Sequence, residues 1–314
     1  MSKIFIEYPS IENHYREKHI EKWLNKFPQL LECEYILQEK LHGTNIQIIF
    51  NPNQSEKYVI ASRNRCIPSD ESFFGIREVL KEEKYQAIFD FYSDLAGDIN
   101  QVIRLYGELI GEGVQKGIDY GEKKLKIFDV SIDGVFACPT IIERTFKHFY
   151  SFGLTEEAKV FSNIGVKVSS LKEALEYDCE KETAFGNGIC EGVVIKPISD
   201  EQENLYSDEF LGRVFYLKKK NEKFMEKPAK KKHSPESVEV FKMREIFKTY
   251  INENRLNSVF SKEGVITSEK DFGKYIKLTL MDAKEDFLKD YEGEHDKRVF
   301  KCEKEVVHLL RKHL

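Results

Sequence analysis

Hydrophobic and polar positions follow two different periods along this chain, and the change from one to the other sets out its organisation. Ile46, Ile48 and Phe50 recur at period two in Ile46-Gln47-Ile48-Ile49-Phe50, the signature of a strand. Tyr35-Ile36-Leu37-Gln38 before it predicts the partner of an opening strand pair, and Tyr58 to Arg63 a third strand that carries Arg63 out at its end. Val102 to Tyr106, Leu125 to Val130, Cys190 to Lys196 and Val214 to Lys220 read the same way. Helical spacing interrupts them. Ile20, Trp23, Leu24 and Phe27 fall at i, i+3, i+4 and i+7, with Ser10 as the expected N-cap and Pro28 as the stop. Ile76 to Ala96 predicts one helix with Val79, Ile88, Phe91 and Leu95 in the core; Glu143 to Gly153 and Leu171 to Tyr177 predict shorter ones.

After Glu226-Lys227-Pro228-Ala229-Lys230-Lys231-Lys232-His233-Ser234-Pro235 the alternation disappears. Val240, Met243, Phe247 and Tyr250 share a helical face, and Tyr275 to Tyr291 and Lys297 to His313 continue as helices. Two prolines and a charge run mark a boundary. The pattern predicts an α+β domain over 1–227, a linker over 228–235 and a small all-helical domain over 236–314.

Composition narrows the class. With 314 residues, 41% hydrophobic and 33% charged, the chain is long enough to bury a sizeable core. No apolar run approaches the roughly 18 to 20 residues of a membrane span. Met1-Ser2-Lys3-Ile4-Phe5 runs straight into a charged segment, which predicts no signal peptide and a cytoplasmic protein, in a bacterial cell or a virus-infected host. Six scattered cysteines without a C-x-x-C pair predict reduced thiols and no structural zinc. The net charge of −5 does not advertise a nucleic-acid partner, yet Lys218 to Lys232 holds eight lysines against two glutamates. A local basic stripe on an acidic chain still contacts phosphates, because the local field decides at these distances.

The candidate chemistry starts at Glu39-Lys40-Leu41-His42-Gly43-Thr44-Asn45, where a lysine leaves a strand into a turn. Alone, such a lysine is a solvated turn residue. It gains meaning from residues further along the chain: Arg63, Glu108, Phe128-Asp129, Glu191-Gly192 with Lys196, then Lys218 and Lys220. Period two puts Glu191, Val193 and Ile195 on one strand face, and Lys218 and Lys220 together on another.

This constellation resembles the covalent nucleotidyltransferases, and within them the ATP-dependent RNA ligase 2 family of phage and kinetoplastid enzymes. Ser10-Ile11-Glu12-Asn13-His14-Tyr15, Phe73-Phe74-Gly75, Gln115-Lys116-Gly117-Ile118-Asp119-Tyr120 and Asp271-Phe272-Gly273-Lys274 extend the resemblance nearly end to end. It implies an ATP-grasp-like adenylation domain of antiparallel sheets flanked by helices, followed by a helical RNA-binding domain. It implies joining of a 3′-hydroxyl to a 5′-phosphate with ATP and Mg²⁺, or Mn²⁺ in its place, through AMP carried covalently on Lys40. Lys218 and Lys220 would disfavour the charged form of Lys40 and neutralise the α-phosphate. By the same resemblance Glu108 bonds the ribose, Phe128 stacks on adenine, and Glu39 lies beside the base. Glu191 holds the metal, Arg63 and Lys196 meet phosphate, and His42 and Asn45 position the triphosphate. Asp129 orients a sugar or serves the structure. Arg63, Arg255 and Asp282 stand where RNA contacts are expected.

The expected partner is RNA, as a nicked duplex, bound by a monomer. Competing readings are a ligase of single-stranded or tRNA breaks, an ATP-dependent DNA ligase, a capping guanylyltransferase and an inactive RNA-binding homologue. DNA ligases usually carry Asp where this chain has His42, and DNA ligases and capping enzymes carry an OB domain where this chain predicts helices.

Overall fold

A computed structural model describes residues 5–31, 33–162, 165–198, 214–225 and 238–314. The linker expected at 228–235, and the lysine stripe beyond Met225, lie outside the described residues. The chain divides into two compact units, Met1–Asn221 and Glu222–Leu314.

The first unit is built on strands β1 (Glu12–Asn13), β2 (Glu34–Glu39), β3 (Thr44–Phe50), β4 (Val59–Ser62), β5 (Ile103–Ile110), β6 (Lys124–Ile132), β7 (Val135–Phe136), β8 (Gly165–Val168), β9 (Gly192–Ile198) and β10 (Leu217–Lys220). Its helices are α1 (Glu17–Lys26), α2 (Ile76–Val79), α3 (Glu83–Ile99), α4 (Thr140–Ser151), α5 (Thr155–Ala158) and α6 (Leu171–Glu176). The strands form two five-stranded sheets, β1-β10-β9-β2-β8 and β4-β3-β5-β6-β7, antiparallel apart from the parallel β1–β10 pair. The expected pairing of β2 with β3 is therefore absent: the chain leaves one sheet at Glu39 and enters the other at Thr44. Residues 40–43 cross between the sheets.

The apolar alternation explains the packing. Ile46, Ile48 and Phe50 face a core with Ile88, Phe89 and Tyr92 of α3 and Phe149 of α4. On the other face of β3, Asn45 and Gln47 stand in line with Ile49, which packs with Ala61 and Val102. Strand β6 carries a bulge: Tyr106 is opposite Asp129 and Gly107 opposite Ile127, so Phe128 has no partner in the ladder. As a result Ile127 and Val130 both join the apolar core, while the neighbouring Phe128 and Asp129 both turn the other way.

Several local expectations change. Ser10 does not cap α1, because Glu12–Asn13 is spent on pairing with Leu217 and Lys218; the helix starts after Arg16. The helix expected over 76–96 is two helices, and Phe91 is 41% exposed.

The second unit contains α7 (Val238–Lys248), α8 (Glu253–Glu263), α9 (Phe272–Asp290) and α10 (Glu303–Leu310) around Phe247, Leu256, Phe260, Phe287, Val306 and Leu310. Here the two residues expected to contact RNA pair with each other. Arg255, expected at an RNA surface, is 1% exposed. Its guanidinium donates to Tyr250 O at 2.7 Å, to Asp286 Oδ2 at 3.0 Å and to Asp282. Asp282 is thus engaged inside the helical unit. A guanidinium buried at the start of α8 needs those acceptors, since an unpaired buried charge is costly.

Candidate active site

The crossover between the sheets is pinned at both ends. Lys40 N–H donates to Gly192 O at 2.9 Å, and His42 N–H to the Tyr120 hydroxyl at 3.1 Å. Gly43 N–H donates to Glu108 Oε1 at 3.2 Å. A Cβ on Gly43 would stand 2.1 Å from Leu109 O, so only glycine lets the crossover approach β5 this closely.

Glu191 is the centre of the site. Its Oε2 lies 2.8 Å from Lys40 Nζ and 3.3 Å from His42 Nδ1, and its Oε1 lies 3.0 Å from Lys220 Nζ. The carboxylate is almost wholly buried. Burial alone would raise its pKa, but Lys40, Lys220 and His42 outweigh it and hold the carboxyl well below the usual range. His42 Nε2 faces Lys116 O at 3.0 Å; a carbonyl only accepts, so that nitrogen carries the hydrogen.

The strand faces deliver these groups, with one departure. Lys218 and Lys220 share a face, opposite Val194 and Gly192, while Lys219 turns away to donate to Leu175 O and Tyr177 O. Glu191 does not share a face with Val193 and Ile195 as alternation predicts. Gly192 has φ +145°, and the backbone twist there sends Glu191 to the lysine side while Val193 and Ile195 stay in the apolar cluster. A Cβ on Gly192 would meet Lys219 O at 2.0 Å.

Around this centre stand the other expected residues. Glu108 faces Asn45 across β3 and β5. Burial pushes the Glu108 carboxyl up to about 7, opposed by Lys40 and reinforced by Glu191. Asn45 donates weakly to Gly107 O at 3.4 Å, and its Oδ1 is buried with no partner among the described residues. Arg63 follows β4, with Nη2 3.4 Å from Ser10 Oγ and Nε 4.0 Å from Glu7. The Glu39 carboxylate accepts from the Thr183 hydroxyl and from Ala184 N–H at 2.8 Å.

Lys196 is a correction. Expected to meet phosphate, it is 1% exposed and forms an ion pair with Asp129 at 2.7 Å, joining β9 of one sheet to β6 of the other. Its ammonium also donates to Phe128 O at 3.2 Å and sits 5.3 Å from the Phe128 ring centroid. Tyr8 completes the group: its hydroxyl donates to Asp129 Oδ2 at 2.6 Å, and its ring meets Phe128 edge-on at 5.5 Å. Of the two roles open to Asp129, the structural one is what these contacts describe. Tyr8 and Tyr120 were not among the expected site residues. Tyr8 lies in a segment without periodicity and gives no signal, whereas Tyr120 ends one of the segments that carried the resemblance.

Comparison with known proteins gives the family. The sequence model of the RNA ligase family matches residues 33–219, and that of the T4 RNA ligase 2 C-terminal domain matches residues 232–314. Among solved structures, Naegleria gruberi RNA ligase with PPi aligns at 15% identity over 71% of this chain and 58% of its own, with a TM-score of 0.50. A lysine-to-alanine mutant of the same ligase with ATP and Mn aligns at 15% identity over the same shares, with a TM-score of 0.48. This chain thus spans 58% of the length of those ligases, and at such identity the likeness concerns the fold alone. Because the family model covers more than half of its length and the T4 RNA ligase 2 model its C-terminal stretch, the chain belongs to the RNA ligase family, in its RNA ligase 2 branch.

Proposed function

We propose that this protein is an ATP-dependent RNA ligase that adenylates itself on Lys40 and seals 3′-hydroxyl/5′-phosphate nicks in duplex RNA. The observation that carries the reading is the convergence of Lys40, His42 and Lys220 on one buried carboxylate, Glu191. Lys40 Nζ forms a bond to the α-phosphorus of ATP as the bond to the bridging oxygen breaks, and pyrophosphate leaves with the electron pair. The amine must shed its proton to attack; Lys218 and Lys220 disfavour its charged form, while the Glu191 carboxylate at 2.8 Å holds the nitrogen in position. Lys220 stands to neutralise the charge that develops on the phosphate. Lys218, on the same strand face, serves the same end. Next, a 5′-phosphate oxygen of the RNA attacks the same phosphorus and releases Lys40. The 3′-hydroxyl then displaces AMP.

The donors fit a divalent cation that keeps most of its shell. Among the described residues no group of three or more His, Cys, Asp or Glu side chains forms a metal cage, and Glu191 offers hard carboxylate oxygens. Mg²⁺ or Mn²⁺ held by Glu191 with phosphate oxygens and water matches that set. Bound there, the ion would neutralise phosphate charge. Phe128, seated on the Lys196–Asp129 pair, takes the adenine face, and Glu108 the ribose.

Incubation with α-labelled ATP and Mg²⁺ tests the reading. The wild type takes label with ATP and not GTP, and Lys40→Ala takes none. Absence of label on the wild type sinks the ligase reading, and label with GTP alone replaces it with capping chemistry. Sealing rates on a nicked RNA duplex, an RNA nick templated by DNA and a free single strand fix the substrate. The nicked RNA duplex is expected to be fastest.

A further inference from the structure

Strand β6 turns two more lysines to the side that Phe128 takes. Lys124 and Lys126 precede Phe128 at period two, while Leu125 and Ile127 face the apolar core. Their ammonium groups are held by neutral acceptors. Lys124 Nζ donates to Tyr120 O at 2.8 Å and to Phe185 O at 3.1 Å. Lys126 Nζ donates to Lys159 O and lies 4.9 Å from the Phe185 ring centroid. Neither forms an ion pair with a described residue. The adjacent Lys84 and Lys159 differ, being paired with Glu82 at 2.5 Å and Glu156 at 2.6 Å.

The two ammonium groups are therefore fixed without direct ion pairs, although Glu156, Asp119 and Glu122 stand near enough to act on them. Burial, then Lys124, Lys84 and Lys159, hold the Lys126 ammonium down to about 8, with Glu156 opposing. Burial and Lys84 also lower Lys124, with Asp119 and Glu122 opposing. Carbonyl oxygens and an aromatic ring fix the position of an ammonium and leave its charge open to a further anion. Both side chains are half-buried, so they are ordered by the fold and still reachable from solvent.

The nucleotide does not supply that anion. On the ligase reading, on which this inference rests, its phosphates lie at Lys40, Lys220 and Glu191, and Phe128 takes the neutral base. Lys126 stands opposite Glu108 in the ladder, so the lysine pair borders the nucleoside end of the site and not its phosphates, and the anion it meets belongs to another molecule. We infer that Lys124 and Lys126 form a phosphate site for the backbone of an RNA strand running along the rim beside Tyr120 and Phe185.

The full-length chain and a fluorescent nicked RNA duplex test this by titration over a range of salt. The Lys124→Ala/Lys126→Ala double variant is expected to bind about tenfold more weakly near physiological salt. It should also flatten the slope of log affinity against log salt by about 1.5, as two lost phosphate contacts require. Lys126→Arg keeps the wild-type slope. Labelling of Lys40 by ATP in the double variant reports that the fold is intact. Wild-type affinity and slope in the double variant overturn the site. So does a loss confined to ATP or free pyrophosphate, which would make it part of the nucleotide pocket. A wild type that takes no label, yet shows the lysine-dependent slope, would overturn the ligase reading and leave this site standing.

Discussion

Lys40 Nζ and Glu191 Oε2 meet at 2.8 Å although 151 residues separate them in the chain, and the second oxygen of the same carboxylate meets Lys220. One buried anion thus organises two cations. Glu191→Gln is expected to lower adenylation of Lys40 by about 100-fold or more, because it turns one of the two accepting oxygens into a donor and removes one charge from the cation site. Quantifying label per protein in a single turnover checks it.

Breaking the tie between the sheets should cost stability first. Lys196→Met leaves Asp129 buried and uncompensated, with an expected loss of about 3–5 kcal/mol. Replacing both partners, as Lys196→Met with Asp129→Leu, should recover part of the loss. Urea unfolding of the single and double variants measures the difference. A rise in the KM for ATP should accompany the single variant, since Phe128 rests on this pair.

Glu108 makes stability depend on pH. Its carboxyl rises from 4.5 to about 7 on folding, so between those values the folded chain holds a proton that the unfolded chain has lost. The contribution is fully present below pH 4.5 and is lost as pH rises through about 7. By linkage it amounts to roughly 3 kcal/mol. Glu108→Gln should flatten the decline of the urea midpoint across that window relative to the wild type.

Arg255→Met should unfold the helical unit early without touching phosphate contacts. The buried guanidinium bonds Asp286, Asp282 and Tyr250 O, and its loss is expected to cost about 3–5 kcal/mol. Asp282→Asn should cost less, because Asp286 still holds the arginine. At temperatures where both variants are folded, the salt slope of RNA binding should equal that of the wild type, whereas a phosphate-contacting arginine would reduce it by about 1.

Much of the fold is legible in local pattern. The alternations of β3, β6 and β10 and the face of α7 are written in neighbouring residues, and the lysine pair of the site comes from period two alone. What depends on distant partners is not. Nothing local says that β2 and β3 join different sheets, and nothing local stops a helix at Leu80. Alternation gives Glu191 the wrong face, since one glycine dihedral overrides it. Lys196 and Arg255 read as surface cations because charge type does not reveal burial. The aspartates that hold them lie 67 and at least 27 residues away. Leu256, Val259 and Phe260 do carry the spacing of α8, but the polar run Asn252 to Arg255 in front of them obscures it.

The span of residues 40–43 between the sheets obeys a parity rule. Thr44 enters β3 with Asn45 beside Glu108 and Ile46 in the core, and that assignment depends on how many residues precede it. One inserted or deleted residue would exchange every inward and outward side chain of the next strand. Ile46, Ile48 and Phe50 would then face the polar cleft while Asn45 and Gln47 faced the helices. The loop that carries the nucleophile is therefore fixed in length as well as at Lys40 and Gly43, and natural variation in it should appear as substitution at its other positions and not as a change of one residue in length.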